Sequence, residues 1–177
     1  MREYFPNKLW NYKNFNMVTE LDIAGEFIYD GMHVLNQMKS IDEVAQLFSF
    51  LYHISVGLER LQKIALVLIE NVTEDNIDDF EERLKTHSHI HLSERISKNS
   101  KTTLSPRENE FLSLISTFYS SARYNRFNFS LQNSKEIVLV AEYIKKHLSP
   151  QKIQNHFFTN AILVSDDVKE LFGRVIG

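Results

Sequence analysis

The sequence predicts an all-α protein, folded as an up-and-down, largely antiparallel bundle of helices. Only 5 Gly and 3 Pro occur among 177 residues, so the turns that many short strands would need are scarce. Apolar residues recur every three or four positions along most of the chain, which is the periodicity of a helical face. No repeat, low-complexity tract or long linker divides the chain, and its length suits one domain spanning residues 1–177.

Composition excludes several classes of function. The chain has no Cys, which rules out disulfides, thiolate metal sites and a cysteine nucleophile. Its net charge of −3 requires any contact with nucleic acid to be local. No apolar run approaches the roughly 20 residues of a membrane-spanning helix, and no signal peptide is recognisable. We therefore expect a cytoplasmic protein that does not contact a membrane.

Two long helices are predicted in the first half of the chain. The first begins near Thr19 and carries an apolar face as far as Met38. Ser40 and Glu43 then have the spacing of a capping box, which predicts the start of the second helix. The following stretch is apolar nearly all round, as expected of a central helix. Gly57 is its one expected point of bending or close packing.

Shorter helices are predicted after this central one. A helix starts at Asn76, whereas its continuation through residues 87–96 stays open, and residues 98–105 form a loop. Ser105, Pro106 and Glu108 combine a capping box with Pro at the first helical position, the strongest start signal in the chain. The remaining signals predict a helix opened by Asn133, a short helical piece at Ser149-Pro150 and a terminal helix from Asp166 to Ile176.

Basic and imidazole side chains cluster at the edges of apolar helical segments. The clusters are residues 57–63, 85–92 and 122–127. In the third, Arg123 and Arg126 are three positions apart beside Tyr124, a combination that can pair with phosphate and stack on bases. The alternative is that the aromatic residues belong to the core and the arginines pair with the acidic segment 70–82.

His87, His89 and His91 alternate in the second cluster and resemble metal ligands. On a helix, however, His87 and His91 share one face and His89 points away. No second group of His, Asp or Glu offers a clear fourth ligand, so we expect neither a metal nor another cofactor. The histidines are then surface or interface residues, or acid–base catalysts. The chain also lacks a Gly-rich phosphate loop and a Gly-x-Ser-x-Gly elbow.

Taken together, the three clusters resemble the HEPN (higher eukaryotes and prokaryotes nucleotide-binding) superfamily. The matching positions are Gly57, Glu59, Leu61 and Lys63, then Lys85, His87 or His89, and Leu92, then Ala122, Arg123 and Tyr124. The resemblance covers residues 19–127. Residues 128–177 form a C-terminal helical extension that the resemblance does not explain.

The resemblance implies a four- or five-helix bundle that often forms a homodimer. Many members are metal-independent RNA endonucleases of toxin–antitoxin and other defence systems, with an Arg and a following His that are separated by four to six residues. In this chain Asn128, Phe129 and Ser130 stand where that His should follow Arg123. A literal match occurs only earlier in the chain, from Arg83 to His89.

Two hypotheses follow. The first is an RNA- or nucleotide-binding protein, in its active form an endoribonuclease. Its candidate catalytic residues are His87, His89, His91 and Arg123, and its candidate phosphate-binding residues are Lys63, Tyr124, Asn125 and Arg126. The second is a non-catalytic dimerisation or protein-interaction module that has lost the Arg/His pair. A protein partner, such as an antitoxin, is compatible with either.

Overall fold

The computed structural model describes residues 8–127, 129, 134–157 and 159–177, with the side chains of Asn125 and Arg126 outside that description. Throughout these residues the predicted all-α class is confirmed, and the protein is a helical bundle. The α-helices are α1 (Lys8–Asn11), α2 (Met17–Gln37), α3 (Val44–Ile69), α4 (Ile77–Leu84), α5 (His89–Ser100), α6 (Pro106–Ser120), α7 (Lys135–His147) and α8 (Asp166–Ile176). A π-helical segment, Tyr12–Asn16, joins α1 to α2, and 3₁₀ turns occupy Ala122–Phe127 and Pro150–Lys152.

Helices α2 and α3 form a closely packed antiparallel pair. Gly31 of α2 faces Ile54 of α3, while Gly57 faces Ile28, so the contacts run in opposite directions along the two helices. A Cβ atom at Gly57 would lie 2.6 Å from Ile28 Cγ1, well inside van der Waals contact. The expectation of close packing at Gly57 is confirmed, because only a residue without a side chain fits there.

The central helix α3 carries the main core, and the last third of the chain is part of that core. Phe172 of α8 packs edge-on against Phe50 of α3, with ring centroids 5.3 Å apart. Its ring also meets Phe111 of α6 and Tyr143 of α7, at 5.9 and 5.7 Å. Helices α7 and α8 are therefore integral to the bundle, a question that the sequence left open.

A smaller core attaches α4 and α5 to the end of α3. Phe80 of α4 and Leu92 of α5 are buried there against Leu66 and Val67 of α3. This attachment positions the segment between α4 and α5, which carries His87, and the start of α5, which carries His89 and His91. None of the helices in the described ranges combines the length and apolar character needed to span a bilayer.

The capping box predicted at Ser40 is wrong. The Ser40 hydroxyl donates instead to the carbonyl of Ile162, at 3.1 Å, and α3 starts only at Val44. Backbone hydrogen bonds from Ile41 to Ile162 and from Val164 to Lys39 complete a small antiparallel clip. The prediction fails because the Ser40 hydroxyl bonds to a residue far away in the sequence instead of to the nearby helix end.

The capping box predicted at Ser105 is confirmed. The Glu108 amide donates to the Ser105 hydroxyl at 3.3 Å, and the Ser105 amide donates to the Glu108 carboxylate at 2.6 Å. These bonds favour the charged carboxylate and hold the pKa of Glu108 below its ordinary value. Here no distant group competes for the serine.

Candidate functional site

A cleft of about 760 Å³ opens between the N-terminal helices, α3 and the segment joining α4 to α5. We call it the first cleft. Its wall combines charged groups with aromatic rings, which is the usual make-up of a site for a charged organic ligand. The lining side chains used below are Glu20, Phe27, Tyr52, Glu59, Arg60, Lys63, His87 and Tyr119.

A buried carboxylate, Glu59, organises the polar wall of the first cleft. Lys63 Nζ donates to Glu59 Oε1 at 2.7 Å, one helical turn along the same face of α3. His87 Nδ1 lies 3.0 and 3.1 Å from the two Glu59 oxygens. Because a carboxylate only accepts hydrogen bonds, His87 Nδ1 carries the proton in this contact. In the neutral ring, Nε2 is then the proton acceptor.

His87 reaches Glu59 because it precedes α5 rather than belonging to it. The Ser88 hydroxyl accepts from the His91 amide, which caps the helix so that α5 begins at His89. The side chain of His87 is 65% exposed, so water and ligands have access to the imidazole. A surface histidine fixed by a buried carboxylate is the arrangement that orients a general acid or base.

His89 is fully buried and has no access to a ligand in solution. Its Nε2 lies 2.8 Å from the carbonyl of Ser55, so Nε2 carries the proton. Gln62 Nε2 donates to the His89 carbonyl at 2.9 Å, which strengthens the same contact between α3 and α5. Burial lowers the pKa of the His89 imidazole. The structure therefore gives His89 a packing role.

We expect the His89 ring to stay neutral, with the proton on Nε2, below its ordinary pKa of 6.5. Because the folded pKa is lowered, the unfolded chain binds this proton first, and stability falls as the pH drops from 6.5 towards the folded pKa. Long-range ¹H–¹⁵N spectra of the imidazoles across pH 7.5 to 5 would check the tautomer. A His89 ring that is doubly protonated in the folded protein at pH 6.5 would contradict this assignment.

Arg123 lies beside the first cleft, stacked on aromatic rings. Its guanidinium carbon is 3.8 Å from the centre of the Tyr119 ring and 4.7 Å from that of Tyr124. The Tyr119 ring in turn lies 5.9 Å from the His87 ring. Stacking holds a guanidinium in place while its edge can still donate hydrogen bonds. Tyr124 is exposed beside it.

The structure thus brings together some of the predicted site residues and separates others. Lys63 and His87 share the first cleft, and Arg123 and Tyr124 adjoin it through Tyr119. His91 lines a different cleft together with Arg83. The Arg83-to-His89 match in the sequence therefore does not form a pair, since His89 is buried elsewhere. The predicted side chains of Asn125 and Arg126 lie outside the described part of the chain.

Sequence analysis missed several lining residues of the first cleft. The i, i+4 spacing of Glu59 and Lys63 predicts an ion pair between them. No local pattern in the sequence predicts that His87 also contacts Glu59. Tyr119 belongs to the apolar stripe of α6, a pattern that predicts a core residue rather than a cleft residue. Glu20 of α2 forms an ion pair with Arg60 of α3, which only the helix packing reveals.

Comparison of the chain with known protein families, curated proteins and solved structures found no match. Within the described ranges, no three His, Asp or Glu side chains converge as ligands for a metal ion. The fold and the site define the protein as an all-helical bundle with a polar, aromatic-lined cleft built around a carboxylate–imidazole pair.

Proposed function

We propose that this chain is an HEPN-like RNA-binding protein of the cytoplasm and that the first cleft holds a phosphodiester of single-stranded RNA. The observation that carries the proposal is His87, which is exposed to solvent and held through Nδ1 by the buried carboxylate of Glu59. The sequence resemblance adds weight, because Glu59, Lys63, His87 and Arg123 all belong to the clusters on which it rests.

The cationic and aromatic groups suit a phosphate with its flanking bases. Lys63 uses one of its three N–H donors on Glu59, which leaves two for a phosphate oxygen. The rings of Tyr52 and Tyr119 lie 6.3 Å apart and nearly parallel, at 26°, a suitable platform for base stacking. Arg123 adds a guanidinium next to Tyr119.

The same geometry supports RNA cleavage without a metal. In this mechanism His87 Nε2 accepts the proton of a ribose 2′-hydroxyl, and the 2′-oxygen attacks the adjacent phosphorus. The bond from phosphorus to the 5′-oxygen breaks, and that oxygen takes a proton from water. The products are a 2′,3′-cyclic phosphate and a free 5′-hydroxyl. Glu59 stabilises the imidazolium that forms, while Lys63 offsets the charge on phosphorus-bound oxygens.

Single-stranded RNA incubated with the purified protein in EDTA tests both parts of this proposal. We expect His87→Ala to lower the cleavage rate by about 10²–10⁴-fold, the range for general acid–base catalysis. We expect Arg123→Ala to weaken binding about tenfold or more, since a hydrogen bond to a charged group contributes about 1.5–3 kcal/mol. Fluorescence anisotropy measures the binding and gel analysis the products.

His33→Ala is the matched control, because His33 is an exposed histidine on α2 outside the first cleft, and among the described residues its ring contacts Gln37 and Tyr29 of the same helix. It should leave both binding and cleavage unchanged. Binding without cleavage would restrict the function to RNA recognition. Failure of the wild-type protein to bind RNA, or unchanged binding by Arg123→Ala, would refute the assignment of the cleft.

A homodimer forms part of this proposal, and a non-catalytic interaction module is the second candidate function. The observation that favours an interface is the exposed apolar face of α2, formed by Val18, Leu21 and Tyr29. In either case the resemblance suggests a bacterial defence or toxin–antitoxin system in which a protein partner controls the chain. Sedimentation analysis of wild type and Leu21→Glu distinguishes the cases, because a monomeric wild type would remove the support for a dimer.

A further inference from the structure

A second cleft, of about 470 Å³, lies on the outer side of α5 and is unexplained by the proposed function. Its lining residues are all of polar or charged types, and three of the four charged at neutral pH are basic: Glu70, Arg83, Thr86, His91, Arg95, Lys98 and Asn99. We infer that this second cleft is a phosphate-binding site, distinct from the first cleft and independent of whether the first one binds RNA.

The basic groups of the second cleft come together where the ends of α3 and α4 meet α5. His91, Arg95 and Lys98 are spaced i, i+4 and i+7, which places them on one face of α5. Arg83 comes from the last turn of α4, and Glu70 stands at the end of α3. Arg95 is partly buried, with its guanidinium over the Phe80 ring. The side chains of Arg83, His91 and Lys98 are exposed and remain open to solvent or to a ligand.

One arginine of the second cleft, Arg95, is held in place by hydrogen bonds to neighbouring groups of the protein. Arg95 donates from Nε and Nη2 to Glu70 Oε1, at 3.1 and 3.0 Å, and from Nη1 to the carbonyl of Arg83 at 2.8 Å. This arginine thereby ties α5 to both α3 and α4. Glu70 is largely committed to Arg95, and its distance to Arg83 Nη2 is 3.9 Å.

The cations that line the second cleft outnumber its acidic side chains. Three positive side chains (Arg83, Arg95 and Lys98) and one negative side chain (Glu70) line the cleft, which gives a surplus of two positive charges with His91 neutral. The side chain of Arg83 is 59% exposed, and Lys98 is exposed as well. A phosphate group matches this surplus in charge and matches the fork of the Arg83 guanidinium in shape.

Neutral donors complete the fit. The Thr86 hydroxyl accepts from the Ser88 amide, so its own proton is available to a ligand oxygen. His91 stands in the first turn of α5, where the helix dipole favours an anion. Thr86 and His87 are neighbours in the segment before α5, yet Thr86 faces the second cleft and His87 the first. The two sites are thus adjacent but have separate linings.

Titration with inorganic phosphate at constant ionic strength tests the site directly. The ring ¹H–¹³C resonance of His91 should shift and saturate, while the double variant Arg83→Gln, Lys98→Gln should bind phosphate at least tenfold more weakly. Both residues are exposed, so the variant should keep the circular dichroism of the wild type. Lys145→Gln, which removes an exposed cation from α7, is the matched control and should bind phosphate like wild type. The inference would be overturned if the His91 resonance did not shift with phosphate, or if it shifted at the same phosphate concentrations in the double variant as in the wild type.

Two further arms identify the source of the phosphate. If the site holds an RNA backbone, the double variant Arg83→Gln, Lys98→Gln should lose two phosphate contacts. The slope of log K against log salt for RNA binding should then become less steep by about 1.4, since each contact contributes about 0.7. If it holds a free nucleotide, AMP should saturate the His91 shift at lower concentration than inorganic phosphate, and the RNA slope should not change. Either result supports a phosphate site, and the second stands even if the protein binds no RNA.

Discussion

Replacing Phe172 with Ala should lower the free energy of unfolding by about 3–5 kcal/mol, the range for truncating a buried phenylalanine. The ring is fully buried, and it contacts Phe50, Phe111 and Tyr143 from three different helices. Truncation would leave a cavity where α3, α6, α7 and α8 meet. Because those helices hold one another in place, they cannot collapse easily into the space. Urea unfolding followed by circular dichroism measures the loss.

Phe157→Ala is the control for this experiment. It removes the same atoms from a ring that is 90% exposed, so the free energy of unfolding should change by no more than about 0.5 kcal/mol. Equal losses in the two variants would mean that α8 does not pack into the main core as described. A loss confined to Phe172 establishes that residues beyond 128 are needed for the stability of the bundle.

Gly57→Ala should destabilise the protein by about 1–3 kcal/mol, the usual cost of adding a methyl group to a closely packed interface. The new Cβ would stand 2.6 Å from Ile28 Cγ1 and 3.1 Å from the Ala24 carbonyl. The carbonyl belongs to the backbone of α2, so α2 and α3 would have to separate. Glu59 lies two residues further along α3, and the shift should also weaken the RNA binding that we propose for the first cleft.

Gly25→Ala is the matched control for Gly57, since it adds the same methyl group to α2 at a position where no described residue outside its own helical turn lies within 4 Å. It should stabilise the protein by up to about 1 kcal/mol, because Ala favours a helix interior more than Gly does. Opposite signs for the two variants are expected in thermal or urea unfolding. A stabilised Gly57→Ala would refute the close contact between α2 and α3.

The helices were predictable because their signals are local. Pro106 and the Ser105–Glu108 capping box mark the start of α6 within four residues, and the terminal helix Asp166–Ile176 has the predicted bounds. The start of α3 was not predictable in the same way. The Ser40 hydroxyl could either cap the start of a helix or donate to a distant carbonyl. It donates to Ile162, which lies 122 positions away in the sequence. No local pattern carries that information.

The candidate site shows the same division between local and distant causes. Glu59 and Lys63 follow from helical spacing, and His87 stood in a recognised cluster. Yet the three histidines of that cluster have three different surroundings: the first cleft, the core and the second cleft. Their separation depends on Ser88, which caps α5 so that the helix begins at His89 and leaves His87 in the segment before it.

The clip between Ser40 and residues 162–164 also has a consequence for how the chain is made. During translation α2 and α3 are synthesised long before Ile162. The turn between these helices therefore first forms without the backbone hydrogen bonds to residues 162–164 that it has in the folded protein. Contacts this distant in sequence form slowly, because a large loop must close first. Until then, the Lys39 carbonyl and the Ile41 amide depend on water for hydrogen bonds, and the nascent helical hairpin is held by the packing of α2 against α3.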